Sequence, residues 1–129
     1  MNIPANLKYT ENDEWIRVEG KVGTVGITDF AQNSLSDIVF VEVVASAGDT
    51  LKKGEACATL ESVKAAADVY LPVGGKIIAA NEQLPDQPEK VNSDPYGEAW
   101  MVKLEIADPA ELDALLDASA YEKLVESKG

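Results

Sequence analysis

The residue with the clearest chemical potential is Lys64, which stands between two strand-like stretches, residues 54–60 and 66–71. A lysine at such a joint is predicted to lie at the tip of a β-hairpin, with its amine in solvent. Its flexible stem ends in a compact primary amine. The position predicts a site of covalent modification.

Several strands are predicted to hold this hairpin. Alternating apolar and polar side chains predict strands at residues 14–19 and 99–106, and β-branched residues predict one at 37–44. Turn residues delimit further strands at 22–27 and 76–80, with a short strand and turn at 51–54. Thr28 is expected to cap a short helix, whose inward face would be formed by Phe30, Ala31 and Leu35. Three prolines and several Asn and Asp residues predict that residues 81–96 are largely loop.

The pattern becomes helical after residue 107. Asp108, Pro109 and Glu111 have the spacing of a helix start with a capping box, and Ser119 is a candidate cap for a second helix. Apolar residues at helical spacing predict the inward face: Leu112, Leu115, Leu116, Tyr121, Leu124 and Val125. The chain is therefore expected to be mainly β, a single domain over 1–129 with a body at about 1–107 and a helical appendage at about 108–127.

The composition excludes several classes of function. With 11 Lys and Arg against 23 Asp and Glu, the net charge of −12 would repel nucleic acids and anionic membranes. Histidine is absent, which removes the commonest general base and zinc ligand. The single cysteine, Cys57, is expected to be a small packed strand residue, and Trp15 and Trp100 core residues. No metal site, catalytic constellation or export signal is evident, and a reducing cytoplasm is the expected compartment.

Nearly the whole chain resembles the H proteins of the glycine cleavage system, which are carriers of covalently bound lipoic acid. The segments that carry the resemblance are Leu7–Tyr9, Glu14–Trp15, Val25–Asp29, Asp37–Glu42, Glu61–Ala65, Pro72–Gly75, Val91–Gly97 and Trp100. The chain departs from the family pattern in having Asp13 where histidine is common, and Ser36 and Ala99 where glycine is usual.

The resemblance implies a barrel-sandwich hybrid fold of the lipoyl and biotinyl carrier type, with lipoic acid joined to Lys64 through an amide. It implies that a lipoate-attaching enzyme recognises the surroundings of the lysine: Glu61, Ser62, Val63, Ala65 and Gly75. Gly75, a turn glycine of such domains, would serve backbone geometry. Carboxylates near the hairpin would hold the cationic end of the loaded arm, and by resemblance these docking residues are Glu14 and Asp68, with Asn12.

The same resemblance implies a non-catalytic, monomeric carrier in a bacterial cytoplasm. Its partners would be a pyridoxal-phosphate glycine decarboxylase, a tetrahydrofolate-dependent aminomethyltransferase and a flavin-dependent dihydrolipoyl dehydrogenase. The carrier would take the aminomethyl group from the first to the second, and electrons to the third.

Four alternatives stay open at this point. A biotin carrier shares the hairpin, but its lysine usually lies between methionines, whereas Val63 and Ala65 flank Lys64. A lipoyl domain of a 2-oxo acid dehydrogenase commonly has Asp-Lys-Ala and lacks the C-terminal appendage. An H-like protein that relays lipoate to other proteins would have the same sequence features. An independent enzyme is disfavoured by the missing histidine.

Overall fold

The computed structural model describes residues 1–128, which form nine strands in two antiparallel sheets. The larger sheet has the spatial order β1 (Lys8–Tyr9), β2 (Glu14–Glu19), β3 (Val22–Ile27), β9 (Val102–Ile106), β8 (Gly75–Ala80) and β5 (Thr50–Leu51). The smaller sheet has the order β4 (Ile38–Val43), β6 (Ala56–Ser62) and β7 (Ala66–Tyr70). The described helices are α1 (Asp29–Leu35), α2 (Lys90–Ser93) and α3 (Ala118–Lys128), with 3-10 turns at Leu84–Asp86 and Pro109–Ala114. The expected mainly β class is confirmed, with a short internal helix, α1, and a C-terminal helix, α3.

The sequence patterns placed most of these elements correctly. The two-residue turn at Gly20–Lys21 joins β2 and β3, where Gly20 has a φ of +63° that glycine adopts without strain. Thr28 caps α1 as predicted, since its hydroxyl accepts a hydrogen bond from the amide of Ala31 at 3.2 Å.

Three local predictions were wrong. The capping box at Asp108 does not form: Asp108 accepts from the amide of Ala110, but the Glu111 carboxylate accepts from the amide of Gly74 at 2.9 Å. Residues 109–114 therefore form a 3-10 turn instead of an α-helix. The cap of α3 is Asp117, whose carboxylate accepts from Ala120 N, and not Ser119.

Two other regions differ from the prediction. Residues 81–96 were expected to be largely loop, but they contain a 3-10 turn and the short helix α2. Bonds between residues three apart form the turn, and α2 adds bonds from the amides of Ser93 and Asp94 to carbonyls four residues earlier. The last strand begins at Val102 instead of residue 99, because the amide of Trp100 bonds back to Gly97 in a turn.

Two clusters of buried apolar side chains hold the elements together. The larger cluster draws on both sheets, and Leu112 and Leu115 of the C-terminal region pack against it. The smaller cluster contains Leu7, Tyr9, Trp15 and Tyr121, with Leu116, Leu124 and Val125 packed around it. The rings of Tyr9 and Tyr121 stack at 4.6 Å between centroids. The C-terminal leucine stripe is thus core packing, as expected.

None of the helices formed by residues 1–128 is both long and apolar enough to cross a membrane.

Candidate functional site

Lys64 lies in the bend between β6 and β7, exposed to solvent as the sequence predicted. The hairpin is closed by the amide of Ser62, which donates to the carbonyl of Ala65 at 2.8 Å. The Ser62 hydroxyl then accepts from the amides of Lys64 and Ala65, at 3.1 and 2.9 Å. It also donates to the Ala65 carbonyl at 3.0 Å. One serine side chain therefore fixes the backbone on both sides of the lysine.

A neighbouring strand also supports the tip. The amide of Val63 donates to the carbonyl of Asp37 at 3.0 Å, immediately before β4 begins. In register below it, Ile38 pairs with Ser62 and Phe40 pairs with Glu61. The bend that carries Lys64 is thus held by three strands, and the ion pairs within residues 1–128 leave Lys64 free.

The residues flanking the lysine are open to an approaching protein. Val63 is 70% exposed, and Ala65 is exposed as well. Glu61 is exposed between Phe40 of β4 and Ala66 of β7. An enzyme can therefore reach the amine without displacing a large neighbouring side chain.

Gly75 lies apart from the tip, at the start of β8 in the larger sheet, where it pairs with Leu51 and Ile106. It is buried, and a Cβ atom there would lie 2.0 Å from the carbonyl oxygen of Glu105. The close approach of β9 therefore explains why position 75 is a glycine, since any side chain would clash with the β9 backbone.

A cleft of about 310 Å³ opens between the start of β2, the end of β7 and the C-terminal region. It is lined by Tyr9, Thr10, Glu11, Asn12, Glu14, Lys53, Gly54, Tyr70, Leu71, Pro72, Ala114, Leu115 and Leu116. The structure thus brings two of the predicted docking residues, Glu14 and Asn12, to one cavity. Asp68 is outside this lining, exposed on β7 two residues before Tyr70 and hence on the same face of that strand.

Glu14 is the most unusual acid of the cleft, because only 2% of its surface is exposed. One carboxylate oxygen accepts from the Thr10 hydroxyl at 2.6 Å and the other from the amide of Tyr70 at 3.1 Å. Burial raises the pKa of Glu14 to about 7, although both hydrogen bonds act in the opposite direction. A cation that enters the cleft and pairs with such a buried carboxyl would stabilise its ionised form strongly.

The loop that presents Asn12 and Glu14 is fixed at both ends. The Thr10 hydroxyl accepts from the amides of Asn12 and Glu14 at 3.2 and 3.1 Å. Asp13, between them, has a φ of +69°, a strained value for a residue other than glycine. Its carboxylate accepts from the Tyr121 hydroxyl at 2.9 Å and from the Lys128 amine at 3.0 Å. The C-terminal helix therefore holds the loop of the cleft.

Sequence reasoning missed Thr10, Tyr70 and Tyr121 as supports of this site. Thr10 could have been found, since a threonine followed by Glu-Asn-Asp is typical of a turn closed by its side chain. The contributions of Tyr70 and Tyr121 come from residues 56 and 108 positions away from their partners, and no local signal marks them.

The remaining candidates have structural roles. Cys57 is fully buried in β6, and burial raises the pKa of its thiol to about 12, so the nucleophilic thiolate is suppressed. Trp15 is buried and its indole N–H donates to the Pro95 carbonyl at 3.0 Å, whereas Trp100 is only partly buried. Within residues 1–128, no group of three or more His, Cys, Asp or Glu side chains could hold a metal.

Comparison with known proteins gives a consistent result. The family model described as "Glycine cleavage H-protein" matches residues 7–128. A "Glycine cleavage system H protein" of Carboxydothermus hydrogenoformans is 51% identical over 127 residues, covering 98% of this chain and 97% of that protein. One from Thiobacillus denitrificans is 58% identical over 130 residues, covering 99% of this chain and 98% of that protein. The crystal structure of a glycine cleavage system H protein from Mycobacterium marinum superposes with a TM-score of 0.84 at 32% identity, covering 98% of this chain and 99% of that one.

Proposed function

The chain belongs to the glycine cleavage H-protein family, and from that premise we propose that it carries lipoic acid as an amide on Lys64. The H protein is a carrier component of the glycine cleavage system and not itself a catalyst. In the proposed role the carrier takes an aminomethyl group from glycine decarboxylase to the aminomethyltransferase. It also takes electrons to dihydrolipoyl dehydrogenase. When bound, lipoate supplies a disulfide that accepts electrons and holds a one-carbon unit through sulfur.

The observation that carries the proposal is the placement of Lys64 on an exposed, three-strand-supported bend within a chain of this family. Attachment requires that the Lys64 amine lose a proton and bond to the carbonyl carbon of an activated lipoyl group, whose leaving group departs. Ser62 holds the Lys64 backbone for this step, and Val63 and Ala65 leave the amine accessible. The positive charge of the lysine is lost when the amide forms.

The cleft supplies the second part of the proposal. A loaded arm ends in an ammonium group, and the Glu14 carboxyl is buried in a wall of the cleft, with Asn12 beside it. An ammonium that enters would favour the ionised form of Glu14 and donate a charge-assisted hydrogen bond to its carboxylate. Asp68, on the open face of β7, would attract the same cation from outside the cleft. These residues would thereby limit the contact of the labile group with water.

The experiment is an intact-mass measurement on the protein purified from its native host. A mass increment of one lipoyl amide is expected, and Lys64→Arg should abolish it while Lys21→Arg, at the exposed β2–β3 turn, should keep it. A biotin-sized increment, or a lipoyl increment that survives Lys64→Arg, would refute the assignment.

Participation in glycine cleavage needs a second assay. The assay mixes lipoylated protein with glycine decarboxylase, unlabelled glycine and labelled bicarbonate. The label should then exchange into the carboxyl group of glycine, with each carrier molecule used repeatedly. Lipoylated protein that supports no exchange would instead point to a role as a lipoate relay.

A further inference from the structure

The outer face of the smaller sheet, beside Lys64, exposes an unusual combination of side chains. Cross-strand pairing sets Phe40 of β4 against Glu61 of β6, and Glu61 against Ala66 of β7. The next row on this side of the sheet contains Glu42, Thr59 and Asp68 in the same order, and Glu42 and Asp68 are exposed. The register shift between Ile38 and Phe40 turns Val39 outward as well. We call Val39, Phe40, Glu42, Glu61 and Val63 the β4 face.

Three large apolar side chains on this face lie in water. Val63 is 70% exposed, Val39 57% and Phe40 45%. The bond from the Val63 amide to the Asp37 carbonyl brings the hairpin tip against the start of β4, so these side chains are grouped next to the lysine. Grouped apolar side chains of this kind mark surfaces that bind other proteins.

The charged side chains on the outer face of the smaller sheet are all negative. Glu42 and Glu61 of the β4 face and the neighbouring Asp68 of β7 are exposed there. Strands β4, β6 and β7 contain neither lysine nor arginine. A second copy of the chain would bring carboxylates against carboxylates, which is unfavourable. A partner that carries basic side chains around an apolar hollow would match both the charge and the apolar groups.

The position of the face next to Lys64 selects one partner. An enzyme that acylates the amine must place its activated acyl group at the Lys64 Nζ atom, and therefore must contact the surface within one side-chain length of it. Proteins that act on the far end of an arm need no such contact. We propose that the β4 face is a docking surface for the lipoate-attaching enzyme, which covers Val39, Phe40 and Val63 with an apolar hollow and faces Glu42 and Glu61 with basic side chains. This inference rests on the proposed attachment at Lys64 and extends its recognition site to β4.

The first test uses the unmodified chain, a lipoate–protein ligase, MgATP and lipoate, with the rate of mass increase as the readout. Phe40→Ser should lower kcat/KM for lipoylation about tenfold or more, mainly by raising KM. Ile78→Ser is the matched control, because Ile78 is 44% exposed on β8 of the larger sheet. It should leave kcat/KM unchanged. Circular dichroism and urea unfolding establish that both variants are folded.

The second test concerns the negative charge of the β4 face and leaves its apolar side chains unchanged. Glu42→Gln should lower kcat/KM severalfold at low ionic strength, and the difference should shrink as salt is added. Glu19→Gln, an exposed acid at the end of β2 in the larger sheet, should behave like the unsubstituted protein.

The outcomes separate this inference from the proposed function. Absence of lipoylation of the unsubstituted chain would overturn both. Lipoylation of Phe40→Ser and Glu42→Gln at the unsubstituted rate would overturn the docking surface alone. Normal lipoylation of both variants, combined with a weaker reaction with glycine decarboxylase, would overturn it too, by assigning the face to another partner.

Discussion

The hydroxyl of Tyr121 in α3 donates to the carboxylate of Asp13 at 2.9 Å, across 108 residues of chain. The Thr28 hydroxyl lies 2.6 Å from the same tyrosine oxygen. Because Tyr121 uses its proton for Asp13, Thr28 donates to Tyr121, and the helix cap, the C-terminal helix and the cleft loop share one hydrogen-bond chain. Desolvation raises the pKa of Tyr121, so this hydroxyl remains protonated.

Tyr121→Phe should therefore destabilise the protein. The substitution removes one oxygen and leaves the fully buried Thr28 hydroxyl without its acceptor, which should cost about 1–3 kcal/mol in free energy of unfolding. Urea denaturation measures this cost. Tyr70→Phe serves as the control, because the Tyr70 side chain is exposed, and it should change stability by less than about 0.5 kcal/mol. Equal stability of the two variants would show that the hydrogen-bond chain contributes nothing.

Glu14 should make stability depend on pH. Its pKa is about 7 in the folded protein, against an ordinary glutamate value of 4.5 in the unfolded chain. Between these pH values the unfolded chain releases a proton that the folded chain keeps, so stability falls as pH rises from 4.5 to 7 and levels off above. The contribution is at most on the order of 3 kcal/mol.

The measurement compares unfolding free energies of the unsubstituted protein and Glu14→Gln from pH 4.5 to 8. As pH rises across this window, the unfolding free energy of the unsubstituted protein should fall relative to that of Glu14→Gln, by at most on the order of 3 kcal/mol. Glu19→Gln, an exposed acid on the same strand, retains Glu14 and should show the unsubstituted slope. Parallel curves for Glu14→Gln and the unsubstituted protein would contradict the burial argument.

Gly75→Ala should be severely destabilising. The new Cβ would meet the Glu105 carbonyl oxygen at 2.0 Å, and backbone atoms of a paired strand cannot move aside without breaking the ladder. Gly23→Ala is the matched comparison, since Gly23 is also buried in the larger sheet but its Cβ would meet the end of the Ile16 side chain at 2.7 Å. We expect a loss above about 3 kcal/mol, or failure to fold, for Gly75→Ala and a smaller loss for Gly23→Ala. Comparable soluble yield and urea midpoints for the two would disprove the clash.

Ser62→Ala should loosen the lysine bend without unfolding the hairpin. The amides of Lys64 and Ala65 lose their shared acceptor and turn to water, at a cost of about 1 kcal/mol or less. Hydrogen exchange of these two amides should accelerate severalfold, and the rate of lipoylation should fall. Ser34→Ala, at an exposed position in α1, should change neither. Unaltered exchange at Lys64 would show that the backbone pairing alone defines the bend.

Asp117→Ala should cost about 1 kcal/mol in unfolding free energy, because the Asp117 carboxylate caps α3 through the amide of Ala120. Ser119→Ala should be nearly neutral, since Ser119 lies inside the exposed first turn of that helix. A larger loss for Ser119→Ala than for Asp117→Ala would restore the cap that the sequence had suggested.

The sequence predicted best where neighbouring residues decide the structure. The hairpin at Lys64 follows from the two strand-forming stretches on either side of it, residues 54–60 and 66–71, and the cap at Thr28 follows from residues 28–31. Prediction failed where a distant group competes for a side chain: Glu111 satisfies the amide of Gly74, which lies 37 residues away, instead of its own helix start. The burial of Glu14 was equally inaccessible, because Tyr70 reaches it only after β2 and the end of β7 are assembled.

The bond between Val63 and Asp37 has a consequence for how partners compete. Since the backbone at the bend cannot swing freely, the radius explored by any tether on Lys64 is set by the length of the tether alone. A catalyst that settles on the surface within this radius encounters the tethered group at a high effective concentration, independent of how much carrier is present in bulk. A catalyst that settles outside it encounters only the tethered groups of other carrier molecules, at their bulk concentration.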